Sequence, residues 1–117
     1  MGFSDVLRLA SIGRQDAAST LLKEEFDKLK SPEQRVDLCR WLASCFEGLE
    51  DYARAAEWYE MTGFLSLGET TSDLANSVRA LPEYEKARAY YAMCQDEEKV
   101  DLCCAVIREL NKNFVAS

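Results

Sequence analysis

The sequence repeats at a spacing of 32 residues without an insertion, and the repeated positions are of the kind that helices bury. In the first unit these positions are Leu42, Ala43, Phe46, Leu49, Tyr52, Ala55, Tyr59 and Met61, which recur as Leu74, Ala75, Val78, Leu81, Tyr84, Ala87, Tyr91 and Met93. Doubling the shift carries VDLC at 36–39 onto VDLC at 100–103. Agreement at this many core-type positions indicates structural units that stack on one another in register.

Helical periodicity predicts that these units are all-α. Apolar residues recur at the spacing of a helix face from end to end, alternating strand patterns are missing, and the chain has only two prolines. We expect about seven helices, over residues 4–11, 14–29, 32–48, 51–63, 71–80, 81–94 and 96–114. Ser31 is the expected N-cap before Pro32 at the first helical position, with Gln34 completing a capping box. Pro82 is expected to open the sixth helix, and Gly63 to end the fourth in a left-handed conformation.

The order of residue types within each unit resembles that of a known repeat family. The matching positions are Leu42-Ala43, Phe46, Asp51-Tyr52, Ala55, Tyr59 and Thr62 in one unit, and Leu74-Ala75, Glu83-Tyr84, Ala87, Tyr91 and Cys94 in the next. At these residues the chain resembles the tetratricopeptide repeat (TPR) family. It departs from that family in Val78, which replaces an aromatic residue, in Leu67, where proline is frequent, and in a unit two residues shorter than the usual length of about 34.

The resemblance implies a right-handed α-solenoid of antiparallel helix hairpins, with a C-terminal capping helix. It implies a single TPR-like domain over 1–117, divided into a degenerate hairpin at about 3–30, repeats at 32–63 and 70–95, and the capping helix at 96–114. Ala43 and Ala55 are then small because the two helices of a hairpin approach closely, and a larger side chain there would cost about 1–3 kcal/mol in overpacking.

Charge and composition exclude several classes of function. The net charge of −7 and the absence of a basic run argue against a nucleic-acid partner. The chain has no histidine, no glycine-rich phosphate loop and no nucleophile motif, so we expect no enzyme, no cofactor and no metal site. Its apolar runs are too short for a membrane span, and its start lacks the features of a secretion signal. Five scattered cysteines indicate reduced thiols, so a cytoplasmic protein is expected.

In TPR proteins the first helix of each hairpin lines a concave groove, and the resemblance places the partner-binding residues there. These are Asp37, Arg40, Trp41, Ser44, Glu47, Ser72, Asn76, Arg79, Cys104 and Arg108, with Glu69 and Asp101 at further lining positions. Three arginines in the groove favour a partner that carries acidic groups. The alternative is that these charges are solvated ones on exposed faces. Trp41 is either a binding anchor or a core residue, Cys103 matches the core position of Cys39, and Cys104 is the expected reactive thiol.

The function expected from these features is a protein–protein interaction module, an adaptor or scaffold that binds a peptide segment of its partner in the concave groove. The alternative is a structural protein that self-associates through its convex or terminal surfaces. For this alternative, Phe64, Leu65 and Leu67 in the predicted linker would supply an exposed apolar patch.

Overall fold

The described part of the protein is all-α, as predicted, and it forms five helices with defined bounds where about seven were expected for the chain. The computed structural model describes residues 5, 8–9, 12–29, 31–68 and 74–116, and within these it contains no strand. The helices are α1 (Gln15–Asp27), α2 (Pro32–Gly48), α3 (Tyr52–Leu67), α4 (Leu74–Met93) and α5 (Glu97–Ala116). Asp5, Arg8 and Leu9 are helical, and the rest of the predicted first helix lies outside the described residues. None of the described helices combines the length and the apolar character needed to cross a lipid bilayer.

The ends of α2 and α3 follow their local sequence. Pro32 occupies the first turn of α2 directly after Ser31, as predicted. The Ser31 hydroxyl makes no capping hydrogen bond, however, and donates to Glu33 Oε2 at 3.2 Å, so the expected capping box is not formed. At the start of α3 the Asp51 carboxylate accepts a hydrogen bond from the Arg54 backbone N–H at 3.2 Å. Such a cap satisfies one of the backbone donors that a helix leaves unpaired at its first turn.

The predicted separation of the fifth and sixth helices is wrong, because α4 runs unbroken from Leu74 to Met93 with Pro82 inside it. A proline in a helix interior removes one backbone hydrogen bond and clashes with the preceding turn, at a cost of about 3 kcal/mol. One face of α4 is nevertheless buried on both sides of the proline. It carries Ala80, Tyr84, Ala87 and Tyr91, none of them more than 4% exposed. Burial of this continuous face favours one helix over two.

In the second half of each repeat unit, core residues 32 positions apart are buried alike. In the first half they are not. The positions that stay buried in both units are Ala55 with Ala87 and Tyr59 with Tyr91. By contrast, Leu42 is fully buried whereas Leu74 is 40% exposed, and Phe46 is 2% exposed whereas Val78 is 53% exposed. The segments before and after Pro82 belong to one helix and cannot pack against each other as the two arms of a hairpin would.

From α2 to α5, helices that follow each other in the chain pack together. The extensive contacts among the described helices join α2 with α3, α3 with α4, and α4 with α5. Ala43 and Ala55, the two small residues that were expected at a helix contact, have no exposed surface. The core between these helices is completed by Phe46, Tyr59 and Leu110, each at most 2% exposed.

Gly63 has a different role from the predicted one. It lies inside α3, which continues to Leu67 and is followed by Gly68 at a φ of 67°. A Cβ atom added at Gly63 would lie 2.8 Å from both Cδ2 and Cε2 of Tyr84. The Tyr84 ring therefore packs directly on the backbone of α3, and a glycine is required there because nothing larger fits beneath the ring.

This contact predicts opposite effects for two glycine-to-alanine substitutions. Gly63→Ala should lower the free energy of unfolding, because overpacking of about 1–3 kcal/mol exceeds the gain of about 1 kcal/mol in helix propensity. Gly48→Ala is the matched control, since an added Cβ at the end of α2 meets nothing within 4 Å. That control should leave stability unchanged or raise it by about 0.4–1 kcal/mol. Urea denaturation followed by circular dichroism measures both, and equal stabilities for the two variants would contradict the packing.

Candidate functional site

A cleft of about 510 Å³ opens where α2, the end of α3 and the beginning of α4 meet. Its lining consists of Pro32, Glu33, Val36, Asp37 and Arg40 from α2, Leu65 and Ser66 from α3, Gly68, and Asn76 and Arg79 from α4. Four residues predicted for the partner-binding groove are brought together here, namely Asp37, Arg40, Asn76 and Arg79.

The cleft is built from one face of each of two helices. Glu33, Asp37 and Arg40 follow each other at the spacing of a single helix face, and Asn76 and Arg79 are one turn apart on α4. Asn76 also fixes the base of the cleft, because its side-chain amide donates a hydrogen bond to the Leu67 carbonyl at 3.1 Å. That carbonyl belongs to the last turn of α3, where backbone acceptors lack partners within the helix. The bond ties the start of α4 to the end of α3.

Arg40 is held by two carboxylates of the protein itself. Its Nε donates to Oε1 of Glu83 at 3.1 Å, and its Nη1 lies 3.6 Å from Oδ1 of Asp37. The Glu83 side chain is only 11% exposed, whereas that of Arg40 is 46% exposed. The positive charge of Arg40 is therefore neutralised within the protein before any partner arrives, a pairing that the sequence analysis did not anticipate.

The other charged groups of the cleft remain open to solvent. The Asp37 side chain is 78% exposed, and Glu33 is exposed one turn before it. On the opposite side Arg79 is exposed, and no ion pair holds it within the described part of the chain. The cleft thus presents carboxylates on α2 and a free guanidinium on α4, above a half-buried apolar floor of Val36 and Leu65.

Trp41 lies beside the cleft. It is 42% exposed, so it is not the core residue that one interpretation of the sequence required. With Leu29 and Leu38 it lines a shallow groove of about 360 Å³ that shares Asp37 with the cleft. Ser44, one turn further along α2, is exposed and lies outside both linings.

Glu47 joins three helices. The Tyr59 hydroxyl donates to its Oε1 at 3.3 Å and the Tyr90 hydroxyl donates to its Oε2. The bond to Glu47 raises the pKa of Tyr90 to about 12, because only the neutral phenol can donate it. Tyr90 also stacks on Tyr52 with ring centroids 5.3 Å apart. The geometry therefore gives Glu47 a structural part in joining α2 to α3 and α4.

A second tyrosine–carboxylate link joins the next three helices. The Tyr91 hydroxyl on α4 donates to Oε1 of Glu60 on α3 at 2.6 Å, and Lys99 on α5 lies 3.8 Å from the same oxygen. Burial is the main cause that raises the pKa of Tyr91, and the hydrogen bond to Glu60 adds to it. Tyr59 and Tyr91 are related by the 32-residue repeat, but their acceptors Glu47 and Glu60 are not, so the repeat alone gave no signal for these links.

The remaining predicted site residues do not line the cleft. Cys104 is half-buried and Arg108 is exposed, both on α5. Asp101 lines a separate open pocket at the start of α5. Ser72 and Glu69 lie outside the described residues.

The five cysteines are all free, and their environments differ sharply. Cys39 and Cys103 have no exposed surface, as expected for matched core positions. Burial raises the pKa of Cys39 to about 12 and that of Cys103 to about 11, which leaves both thiols protonated and inert at neutral pH. Cys94 is exposed, whereas Cys104, the predicted reactive thiol, is half-buried. The described residues contain no group of three or more side chains that could hold a metal ion.

No protein-family model, curated protein or solved structure matches this chain.

The Arg40–Glu83 pair predicts an asymmetry between two substitutions. Arg40→Gln leaves the Glu83 carboxylate, 11% exposed, without its cation, and should lower the free energy of unfolding by about 1–3 kcal/mol. Glu83→Gln keeps an acceptor for Arg40, whose side chain is 46% exposed and can be solvated, so it should cost less than about 1 kcal/mol. Asp37→Asn, at a side chain 78% exposed, is the control and should change stability by less than about 0.5 kcal/mol. Urea unfolding curves measure all three, and a larger loss for Glu83→Gln than for Arg40→Gln would refute the pairing.

Proposed function

We propose that this protein is a non-enzymatic interaction module, a cytoplasmic adaptor or scaffold that binds a peptide segment of a protein partner in the cleft between α2 and α4. The observation that carries the proposal is the cleft itself. It brings four residues predicted for the partner groove, from separate helices, around an apolar floor. A peptide can bury an apolar side chain on such a floor while the charged rim fixes its orientation.

A TPR-like right-handed solenoid is part of this proposal. Two observations support it. From α2 to α5, helices that are neighbours in the chain pack against each other, as they do in stacked hairpins. Ala55 and Tyr59 are also buried like their repeat counterparts Ala87 and Tyr91. The free cysteines also suit a reducing compartment.

The chemistry of the cleft favours binding over catalysis. Among the described lining residues, the hydroxyl-bearing side chain is Ser66, whose hydroxyl donates a hydrogen bond to the Thr62 carbonyl at 2.7 Å rather than to a carboxylate. A nucleophile needs a base within hydrogen-bond reach. The exposed carboxylates of Glu33 and Asp37 have the solvated character of recognition groups.

Self-association remains the second candidate, and one exposed surface favours it. Met61 is 41% and Phe64 61% exposed, one turn apart on α3, with half-buried Leu65 beside them. Leu67, which the sequence analysis placed in the same patch, is 5% exposed and belongs to the core. The surface is therefore a short stripe on a helix, and its apolar area is smaller than the sequence suggested.

Mapping of bound peptides distinguishes these functions. Peptides selected from a random display library on the immobilised protein should shift the backbone amide NMR signals of residues 33–40, Asn76 and Arg79. Ser66→Trp fills the cleft and should weaken the binding of these peptides at least about tenfold, equal to about 1.4 kcal/mol. Ala53→Trp is the matched control, since Ala53 is exposed on the same helix and does not line the cleft.

Two results would count against the cleft. One is a set of selected peptides that Ser66→Trp and Ala53→Trp affect equally. The other is a shift of the amide signals of residues 61–65 on simple dilution of the protein, without a peptide effect at the cleft, which would favour self-association instead.

A further inference from the structure

We infer that the cleft selects partner segments carrying a lysine or arginine side chain, and that Glu83 sets this preference by neutralising Arg40. The inference rests on the proposed function and names the chemistry of the partner. It is opposite to the acidic partner that the three arginines of the sequence suggested.

Arg40 has little positive charge to offer a partner. Its Nε is engaged by Glu83 at 3.1 Å, and a second carboxylate, that of Asp37, lies 3.6 Å from its Nη1. One guanidinium thus stands between two carboxylates, and the three groups together carry one net negative charge. An incoming carboxylate would have to compete with Glu83, which is 11% exposed and held against the guanidinium by the packing of α4.

The Asp37 carboxylate remains available to a partner. Asp37 is 78% exposed, and its 3.6 Å approach to Arg40 is longer than the 2.7–2.9 Å of a strong charge-assisted hydrogen bond. Its oxygens can therefore accept further bonds from a cation. Glu33 is exposed one helical turn away on the same face, so a basic side chain entering the cleft meets two carboxylates.

The described charged groups around the cleft are negative on balance. They are the three carboxylates of Glu33, Asp37 and Glu83, against the two guanidinium groups of Arg40 and Arg79. The chain as a whole carries a net charge of −7, which also attracts cationic segments over longer distances. Among the described residues of the cleft, Arg79 is the cation that no ion pair holds, and it lies on the opposite wall, where it can pair with a backbone carbonyl or one acidic group of the same segment.

The test uses a random peptide display library, selected in parallel on the wild-type protein and on Glu83→Gln. The wild type should enrich peptides with a conserved lysine or arginine. Glu83→Gln, which leaves two carboxylates against two guanidinium groups, should shift the enriched set toward acidic peptides. Glu85→Gln is the matched control, because Glu85 is exposed on the same helix and outside the cleft, and it should enrich the same peptides as the wild type.

The contact itself is tested with one selected basic peptide. Asp37→Asn should raise its Kd about tenfold, equal to about 1.4 kcal/mol, and replacing the basic residue of the peptide by alanine should raise the Kd on wild type by a similar factor. The two changes together should cost little more than either alone, since each removes the same interaction. Circular dichroism confirms that each variant remains helical.

The outcomes separate this inference from the proposed function. Peptides that bind in the cleft, as judged by Ser66→Trp, but are acidic and insensitive to Asp37→Asn would overturn the inference and leave the proposed function standing. Peptides whose binding does not respond to Ser66→Trp, or no enriched peptides at all, would overturn both. An identical set of peptides on wild type and Glu83→Gln would contradict the claim that Glu83 sets the preference for basic segments.

Discussion

Burial of one face of α4 on both sides of Pro82 is the constraint on which the rest of this structure depends. The buried face includes Tyr84, whose ring lies on the backbone of α3 at Gly63, and Ala80 and Ala87, which have no exposed surface. Together these contacts outweigh the cost of about 3 kcal/mol for a proline in a helix interior. Because the helix stays whole, Arg79 and Glu83 share one of its faces across the proline. The wall of the cleft and the group that neutralises Arg40 are thus parts of one rigid element.

Some carboxylates of this acidic protein link its helices, while others are exposed on its surface. Glu47 accepts hydrogen bonds from tyrosine hydroxyls on two helices. Glu60 accepts one from Tyr91 and lies near Lys99, and Glu83 accepts one from Arg40. Each of these groups lies between helices, and for the tyrosine bonds to Glu47 and Glu60 a hydrogen bond to a charged acceptor contributes about 1.5–3 kcal/mol. Part of the negative charge of the chain is therefore used in helix packing, and the carboxylates left exposed at the cleft are the ones available to a partner.

Sequence reasoning succeeded where the signal was local or periodic. The all-α class, the start of α2 at Pro32, and the burial of Cys39 with Cys103 all follow from spacing and helix-end chemistry. It failed where distant packing overrides a local signal, as at Pro82 inside α4 and at Gly63, whose requirement comes from a tyrosine on another helix. Cleft residues such as Asp37 and Arg79 could be grouped because the resemblance to TPR proteins places the first helix of each hairpin along the groove. The Arg40–Glu83 pair spans 43 positions and leaves no trace in the spacing of either segment.

The most direct test of this account is the continuity of α4, measured by the NMR secondary chemical shifts of the Cα atoms from Leu74 to Met93. A single helix predicts uninterrupted helical shifts through residues 78–83, on both sides of the proline. Extended or random-coil shifts at residues 79–82 would contradict it. In that case the chain would turn at the proline, Arg79 and Glu83 would no longer share a face, and the cleft would lose both its wall and its charge balance.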